Sequence, residues 1–395
     1  MKGILKNYAL TIAMLGGVLL GGLCGAFFPG VTPWLKPFGD IFLNLLFTLV
    51  IPMVFCSITL SFFKLRSGGG VASILFRTLV TFVVMWALSG AVSYFGTLLY
   101  NPFDSSVSAA VSDQVSGSGS RADAFVSAFS VPDFPKLFSK YSILPLIIFS
   151  ALLGVGSHAA GEKGRKFANL LDSCNEVIIK SMDMLMYLAP IGLGCYFAAS
   201  VASMGTQLMG GYLRAFVLYC GIAVLFFFVL NPLLVLISKG KAALKTFWRN
   251  ILPPSITAFA TASSSIAMPG NIEAAERIGV DKGVAGAVVP LATNLLKAGS
   301  VSVAVIKVSF LMAFCGMGAA TPASIGIALL AAVVTGAVAN GGVTGDILIC
   351  TLLGVDPAFA GVLMIIGTIV DIPATLVNSQ SNVVAAVLTD KWSSK

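Results

Sequence analysis

Long apolar runs separated by short polar stretches dominate the chain. Eight of these runs approach or exceed the roughly 20 residues that a helix needs to cross a lipid bilayer. They cover residues 8–28, 38–63, 74–100, 141–160, 170–204, 211–238, 283–314 and 357–388. The first run is too long for a removable signal peptide and lacks its cleavage flank, so we expect it to stay as a helix. The pattern predicts an all-α membrane protein with eight transmembrane helices.

Two further apolar segments are interrupted by proline, glycine and small polar residues. The first, about residues 250–275, contains Pro253-Pro254 and three serines at 263–265; the second, about residues 322–350, contains Asn340-Gly341-Gly342 and Gly345. Irregular backbone at membrane depth is tolerated only where it is buried in protein or lines a cavity. We therefore predict two re-entrant helical hairpins, each with a polar tip.

Lysine and arginine residues set the predicted orientation, because cytoplasmic loops carry an excess of them. With the N-terminus inside, the basic stretches at 64–66, 163–166, 239–249 and 277–282 all fall in the cytoplasm. This holds only if both hairpins return to the side on which they started. The sequence therefore predicts cytoplasmic N- and C-termini.

Composition excludes several classes of function. Of the 395 residues 57% are hydrophobic and only 10% charged, whereas soluble domains carry about 25% charged residues. The net charge of +8 comes from loop residues and not from a basic stripe, so we expect no nucleic-acid partner. The single histidine, His158, and cysteines without ligand spacing provide neither a metal site nor a nucleophile and base. An intramembrane enzyme is disfavoured, and so is a channel, because polarity concentrates in the two hairpins and two adjacent spans.

Three polar residues share one face of the last span. Asp371, Thr375 and Asn378 are spaced four and three residues apart, which places them on the same side of a helix. A carboxylate can hold an ammonium group, and an amide N–H can hold a carboxylate, so the face suits an α-amino acid. The alternative is that Asp371 pairs with a basic residue to lock two helices together.

Lys297 lies in the middle of the preceding span, among glycine and serine residues that indicate an unwound helix. A salt bridge to Asp371 and a role as a functional internal cation both remain open. Asp346, on the second hairpin, is a weaker candidate that we expect near the outer water interface. The serines at 263–265 offer hydroxyl and N–H groups to an anion, or else allow close helix packing.

Several segments resemble the dicarboxylate/amino acid:cation symporter family, the glutamate transporter homologues, over nearly the whole chain. They are residues 36–46 (KPFGDIFLNLL), 50–55 (VIPMVF), 189–192 (APIG) and 257–265 (TAFATASSS). The resemblance implies a homotrimer in a bacterial or archaeal cytoplasmic (inner) membrane, with a static scaffold and a transport domain that slides as an elevator. It assigns residues 1–73 and 141–210 to the scaffold, 74–100 and 211–395 to the transport domain, and 101–140 to an external loop.

The resemblance also assigns roles to single residues of the substrate site. Asp371 matches the family's aspartate that receives the substrate amino group, Asn378 the asparagine that receives the α-carboxylate, and Thr375 the neighbouring hydroxyl. The arginines that hold a side-chain carboxylate are replaced by Ala374 and Ala262. A small neutral amino acid is therefore favoured over glutamate, unless Lys297 supplies the missing charge. The remaining predicted substrate-binding residues are Ser263, Ser264, Ser265, Gly341 and Gly345.

The cation sites depart further from the family pattern. Sodium-coupled members have Asn-Met-Asp-Gly-Thr where this chain has Leu295-Leu296-Lys297-Ala298-Gly299. At the position of the family's second sodium-binding aspartate this chain has Asn382. Where the family has a pair of hydroxyl residues in the third span, this chain has Ser89-Gly90. Sodium is a hard cation that prefers oxygen ligands. We hypothesise that the Lys297 ammonium fills the space of a bound sodium ion, so that no cofactor is needed. The carrier would be a sodium-independent uniporter, an exchanger or a proton-coupled carrier; the alternative is a sodium-coupled symporter of acidic amino acids or dicarboxylates.

Overall fold

The computed structural model describes residues 2–65, 72–102, 130–139, 141–204, 207–337 and 342–393, and the regular structure of these residues is entirely helical. These residues form fifteen α-helices. They are α1 (Lys2–Phe27), α2 (Thr32–Leu65), α3 (Ala72–Leu99), α4 (Phe134–Leu137), α5 (Ile143–Ala159), α6 (Glu162–Met186), α7 (Ala189–Met204), α8 (Gln207–Leu225), α9 (Asn231–Thr261), α10 (Met268–Arg277), α11 (Lys282–Leu295), α12 (Ala298–Phe314), α13 (Pro322–Ala337), α14 (Gly342–Leu352) and α15 (Ala360–Ser393).

The helices pack in two groups. The first group consists of α1, α2, α5, α6 and α7, which contact mainly one another. The second group consists of α3 and the helices from α8 through α15, and α15 lies at its centre. The predicted division of the chain into a scaffold and a transport domain stays a prediction. That one group is static and the other moves stays a prediction.

A seam of small residues joins α1 to α7. Gly17 and Gly21 lie one turn apart and face Pro190 and Gly194, so closely that a Cβ added at either glycine would lie 2.1 Å from a carbonyl oxygen of α7. Backbones approach this closely only where the side chains are absent, which is how helices associate in lipid without a hydrophobic driving force. The seam explains how these two helices pack with backbone against backbone.

Among the described residues, five helical stretches are long and apolar enough to cross a membrane, and six if one bent pair counts as a span. They are Pro29–Leu60, Phe76–Leu99, Leu208–Thr261, Lys282–Phe314 and Pro357–Trp392, with the bent pair Glu162–Met186 and Ala189–Ser203. The predicted span 170–204 is therefore wrong as a single helix, because the chain bends by 60° before Ala189. Ile143–Ala159 is apolar but only 17 residues long, and Ile12–Phe27 is the apolar part of the 26-residue helix α1. The number of eight spans stays a prediction.

Both interrupted segments form paired helical arms. In the first, the helix geometry breaks at Gly240 (φ 83°), the arm runs to Thr261, and residues 262–267 reverse the chain into α10, which packs against α9. In the second, α13 packs against α14, and a Cβ on Gly345 would lie 2.3 Å from the Thr335 hydroxyl oxygen. The tip of this second pair, including Asn340 and Gly341, lies outside the described residues.

Candidate functional site

One cavity of ≈ 790 Å³ is lined by polar and charged side chains of the second helix group. It lies between the turn of the first hairpin, the junction of α11 with α12, the second hairpin and the middle of α15, and Met14, Met182 and Met186 of the first group complete its wall. The predicted residues that line it are Ser263, Ser264, Ser265, Leu295, Lys297, Gly345, Asp371, Thr375 and Asn378. Residues predicted to act together on the basis of sequence are thus brought to one place.

The helix break predicted around Lys297 is confirmed, since α11 ends at Leu295 and α12 begins at Ala298. Its exposed backbone groups have partners from other helices. The Asn378 Oδ1 accepts from the Gly299 N–H at 2.8 Å, the Tyr219 hydroxyl donates to the Gly299 carbonyl at 3.2 Å, and the Trp86 indole N–H donates to the Leu296 carbonyl. A helix end buried in protein must be satisfied in this way. The break is therefore held by side chains of three other helices, which take up two of its carbonyls and one of its N–H groups.

Two residues other than glycine have left-handed backbone in the part of the chain that the structure describes, and both line the cavity. They are Ala262 (φ 47°), where the first hairpin turns, and Lys297 (φ 41°), at the break. This conformation costs roughly 1–2 kcal/mol for a residue with a Cβ, and such strain clusters at functional sites. The backbone strain at Ala262 and Lys297 therefore indicates that this cavity is the functional site, and this argument does not depend on the charged residues.

Glycines allow the surrounding helices to close around the break. A Cβ on Gly299 would lie 2.5 Å from the Ala374 carbonyl oxygen, and a Cβ on Gly336 would lie 2.8 Å from the Asn294 carbonyl oxygen. Helix α15 and helix α13 therefore approach the break from two sides with backbone against backbone. These contacts bring Lys297 and Asp371 to the same cavity.

Asp371 and Lys297 remain unpaired with each other. Within the described residues no ion pair joins them at 4.0 Å or less, and neither side chain has a hydrogen bond. Asp371 is exposed to the cavity, and Lys297 is partly exposed. The salt bridge that the sequence left open is not formed in this structure, so the cavity is lined by one acidic and one basic side chain that no close ion pair joins.

A second pair of charges in the cavity is tightly joined. The Lys307 ammonium, on α12, lies 2.6 Å from the Asp346 carboxylate on α14, with 7% and 3% of the two side chains exposed. Asp346 is therefore buried against α12 and paired with a lysine, which the sequence did not predict; that it lies near an outer water interface stays a prediction. Lys307 was missed in the reading of the sequence, although a lysine within the run 283–314 was a signal for it.

Asn382 and Ser89 lie away from the cavity wall. Ser89 is fully buried, and its hydroxyl has no partner among the described residues. The hydrogen-bond network assigns the orientation of the Asn382 amide. With Nδ2 directed at the carbonyl oxygens of Asn378 (3.0 Å) and Ala292 (3.1 Å), Oδ1 accepts from the Thr293 hydroxyl at 3.1 Å. An uncharged amide therefore satisfies a cluster of carbonyl oxygens behind the helix break.

The polar run 378–382 joins α15 to the rest of its group. Each side chain of the run is buried, and four of them bond to different partners on other helices. These bonds link Asn378 with Gly299, Ser379 with Asn271 (2.9 Å), Gln380 with Asn231 (2.8 Å) and Asn382 with Thr293. The run fixes α15, and with it Asp371, relative to its neighbours.

Comparison with known proteins adds a whole-chain likeness to this geometry. The profile of the sodium:dicarboxylate symporter family matches residues 10–392. The chain is 26% identical over 404 aligned residues to the proton/sodium-glutamate symport protein of Bacillus subtilis (strain 168), covering 98% of this chain and 93% of that protein. It is 25% identical to the protein of the same name from Geobacillus stearothermophilus, over 98% of this chain and 95% of that protein. It is also 26% identical to the C4-dicarboxylate transport protein of Bacillus subtilis (strain 168), over 73% of this chain and 69% of that protein.

Proposed function

The chain belongs to the sodium:dicarboxylate symporter family, and we propose that its substrate is a small neutral amino acid. The family assignment makes the chain a multi-pass membrane transporter and not an enzyme. We further propose that it works without sodium, in a bacterial or archaeal inner membrane with both termini in the cytoplasm. The intramembrane enzyme considered from the sequence is set aside by the family assignment.

The observation that carries the substrate proposal is the unpaired charge of each sign in one cavity. An α-amino acid at neutral pH carries an ammonium and a carboxylate, which complement the free Asp371 carboxylate and the free Lys297 ammonium. Asn378 Oδ1 is engaged by the helix break, but its Nδ2 bonds only to the Ser300 hydroxyl at 3.3 Å. One amide N–H of Asn378 therefore remains for the substrate carboxylate, beside the Thr375 hydroxyl on the same face.

Two features support transport without sodium. The Asn382 amide donates to carbonyl oxygens that would otherwise attract a cation, and Lys297 places a basic side chain at the break itself. Sodium binding depends on oxygen ligands with negative charge, and neither of the two positions supplies a carboxylate. We infer that Lys297 acts as a built-in cation and that the cycle runs as uniport, exchange or proton coupling.

The mode of movement follows the family resemblance. We propose that α3 and α8–α15 form a transport domain that slides as an elevator against α1, α2 and α5–α7, with a homotrimer as the assembly and the bilayer as its surroundings. The separate packing of the two groups and the position of the cavity beside Met14 and Met182 support a boundary at which such sliding can occur.

The relatives favour a second candidate, a sodium-coupled symporter of acidic amino acids or dicarboxylates, because their names describe glutamate and C4-dicarboxylate transport. The two candidates differ in the charge of the substrate side chain. Ala374 and Ala262 stand where the family resemblance expects arginine, which weighs against an acidic side chain.

The proposal is tested by uptake of radiolabelled amino acids and C4-dicarboxylates into proteoliposomes that contain the purified protein. We expect uptake of a neutral amino acid, competition by other neutral amino acids, and loss of uptake in Asp371→Asn, with Asp133→Asn, next to a short helix away from the cavity, as the matched control. Uptake confined to glutamate, aspartate or dicarboxylates would overturn the proposal in favour of the second candidate.

A further inference from the structure

The Lys307–Asp346 pair occupies the part of the cavity wall that the resemblance leaves without an assigned role. Lys307 comes from α12 and Asp346 from α14, and both line the cavity together with Asp371 and Lys297. Their atoms approach to 2.6 Å, and both side chains are more than nine-tenths buried. The two opposite charges offset each other over most of this wall, and Lys307 also interacts electrostatically with Asp371.

Gly367 positions this pair relative to Asp371. A Cβ on Gly367 would lie 2.9 Å from the Lys307 ammonium nitrogen, so the glycine leaves room for the ammonium against α15. Gly367 lies four residues before Asp371, one helical turn or about 6 Å along the axis. A substrate whose amino group is held by Asp371 therefore has its side chain within reach of the Lys307–Asp346 pair.

We propose that the Lys307–Asp346 ion pair is the side-chain selectivity element of this transporter, which excludes charged side chains and admits polar neutral ones. The inference rests on the proposed amino acid substrate and assigns its side-chain subsite. An acidic side chain is attracted by Lys307 but repelled by Asp346 next to it. A basic side chain is attracted by Asp346 but repelled by Lys307. A neutral amide or hydroxyl can donate to Asp346 and accept from Lys307 without separating them.

Reciprocal variants test the pair because each leaves one charge without its counter-charge. A buried charge without a partner strongly favours an incoming group of opposite sign. We expect Asp346→Asn to gain affinity for glutamate by at least tenfold relative to glutamine, and Lys307→Met to gain affinity for lysine by at least tenfold. The double variant Lys307→Met/Asp346→Asn restores neutrality and should show neither gain.

The measurement is competition by glutamine, glutamate and lysine against uptake of the neutral substrate into proteoliposomes, for the wild type and each variant that elutes as a single species on size exclusion. If Asp346→Asn does not fold, the Lys307→Met arm and the wild-type ratio of glutamate to glutamine still decide the proposal. A wild type that prefers glutamate to glutamine, or folded single variants that keep the wild-type ratios, would overturn the selectivity assignment alone. A wild type that transports no amino acid would instead overturn the proposed function on which it rests.

Discussion

Asn382→Asp replaces an amide that donates to two carbonyl oxygens with a carboxylate that cannot donate. The hydrogen bonds to Asn378 and Ala292, at 3.0 and 3.1 Å, are lost. The Ala292 carbonyl keeps its bond from the Leu296 N–H at 3.0 Å, so each lost bond costs about 0.5–1.5 kcal/mol. Repulsion between the new carboxylate and the two carbonyl oxygens adds to this. We expect Asn382→Asp to lower the free energy of unfolding by about 3 kcal/mol in the absence of a cation.

Sodium should reverse part of that loss in the variant and have no effect on the wild type. A carboxylate beside two carbonyl oxygens supplies the oxygen ligands that sodium prefers, and binding at 100 times the Kd stabilises a protein by about 2.7 kcal/mol. The assay is thermal unfolding of the purified protein in detergent, in sodium chloride and in choline chloride at equal ionic strength. A loss of about 3 kcal/mol corresponds to a Tm roughly 3–6 °C lower for a chain of this length.

The matched control for this experiment is Asn271→Asp. Asn271 is also fully buried and also bonds to α15, but its partner is the Ser379 hydroxyl, which can donate to a carboxylate. We expect a smaller loss of stability there and no response to sodium. The reasoning is refuted if Asn382→Asp is as stable as the wild type in choline, or if sodium alone stabilises the wild type.

Three further changes test other parts of the account. Lys297→Asp should abolish uptake or make it depend on sodium, and unaltered uptake would show that the built-in cation is wrong. Gly299→Ala places a Cβ 2.5 Å from a carbonyl oxygen of α15, so it should lower the free energy of unfolding by about 1–3 kcal/mol and reduce uptake. The control is Gly286→Ala, whose new Cβ has no atom within 4 Å. Equal Tm values for the two variants would contradict the packing argument. Lys239→Met removes the 2.5 Å ion pair between Lys239 and Asp390, whose side chains are 21% and 9% exposed, and also the hydrogen bond from Lys239 to the Gly279 carbonyl. We expect a loss of about 2 kcal/mol in thermal unfolding. Adding Asp390→Asn should recover the part that comes from the unpaired carboxylate, and no recovery would argue against the pair.

The helical architecture and the main residues of the cavity followed from the sequence because membrane helices have a strong local signal. Apolar length locates helices, and glycine and serine around Lys297 were enough to predict the break that the structure contains. The groups that satisfy the break have no such local signal. Trp86 and Tyr219 come from helices 210 and 80 residues away in sequence from the carbonyls they bind, and only the packing of helices brings them together.

The same reason explains what the sequence missed. The pairing of Asp346 was not predicted because its partner, Lys307, lies 39 residues away, and nothing in the local pattern shows that α14 packs against α12. The bend that divides the predicted span 170–204 did have a local signal, since Pro190 lies where α7 begins and proline is favoured in the first turn of a helix. Helices could be predicted from the local sequence, whereas contacts between residues far apart in the sequence could not.

Uptake of the neutral substrate into proteoliposomes, measured with an inward sodium gradient and again with choline in place of sodium on both sides, tests the central claim most directly. The account predicts equal initial rates in the two conditions, because Lys297 and the Asn382 amide take the place of bound cations. Uptake that requires the sodium gradient would contradict the account and assign this chain to the sodium-coupled members of its family.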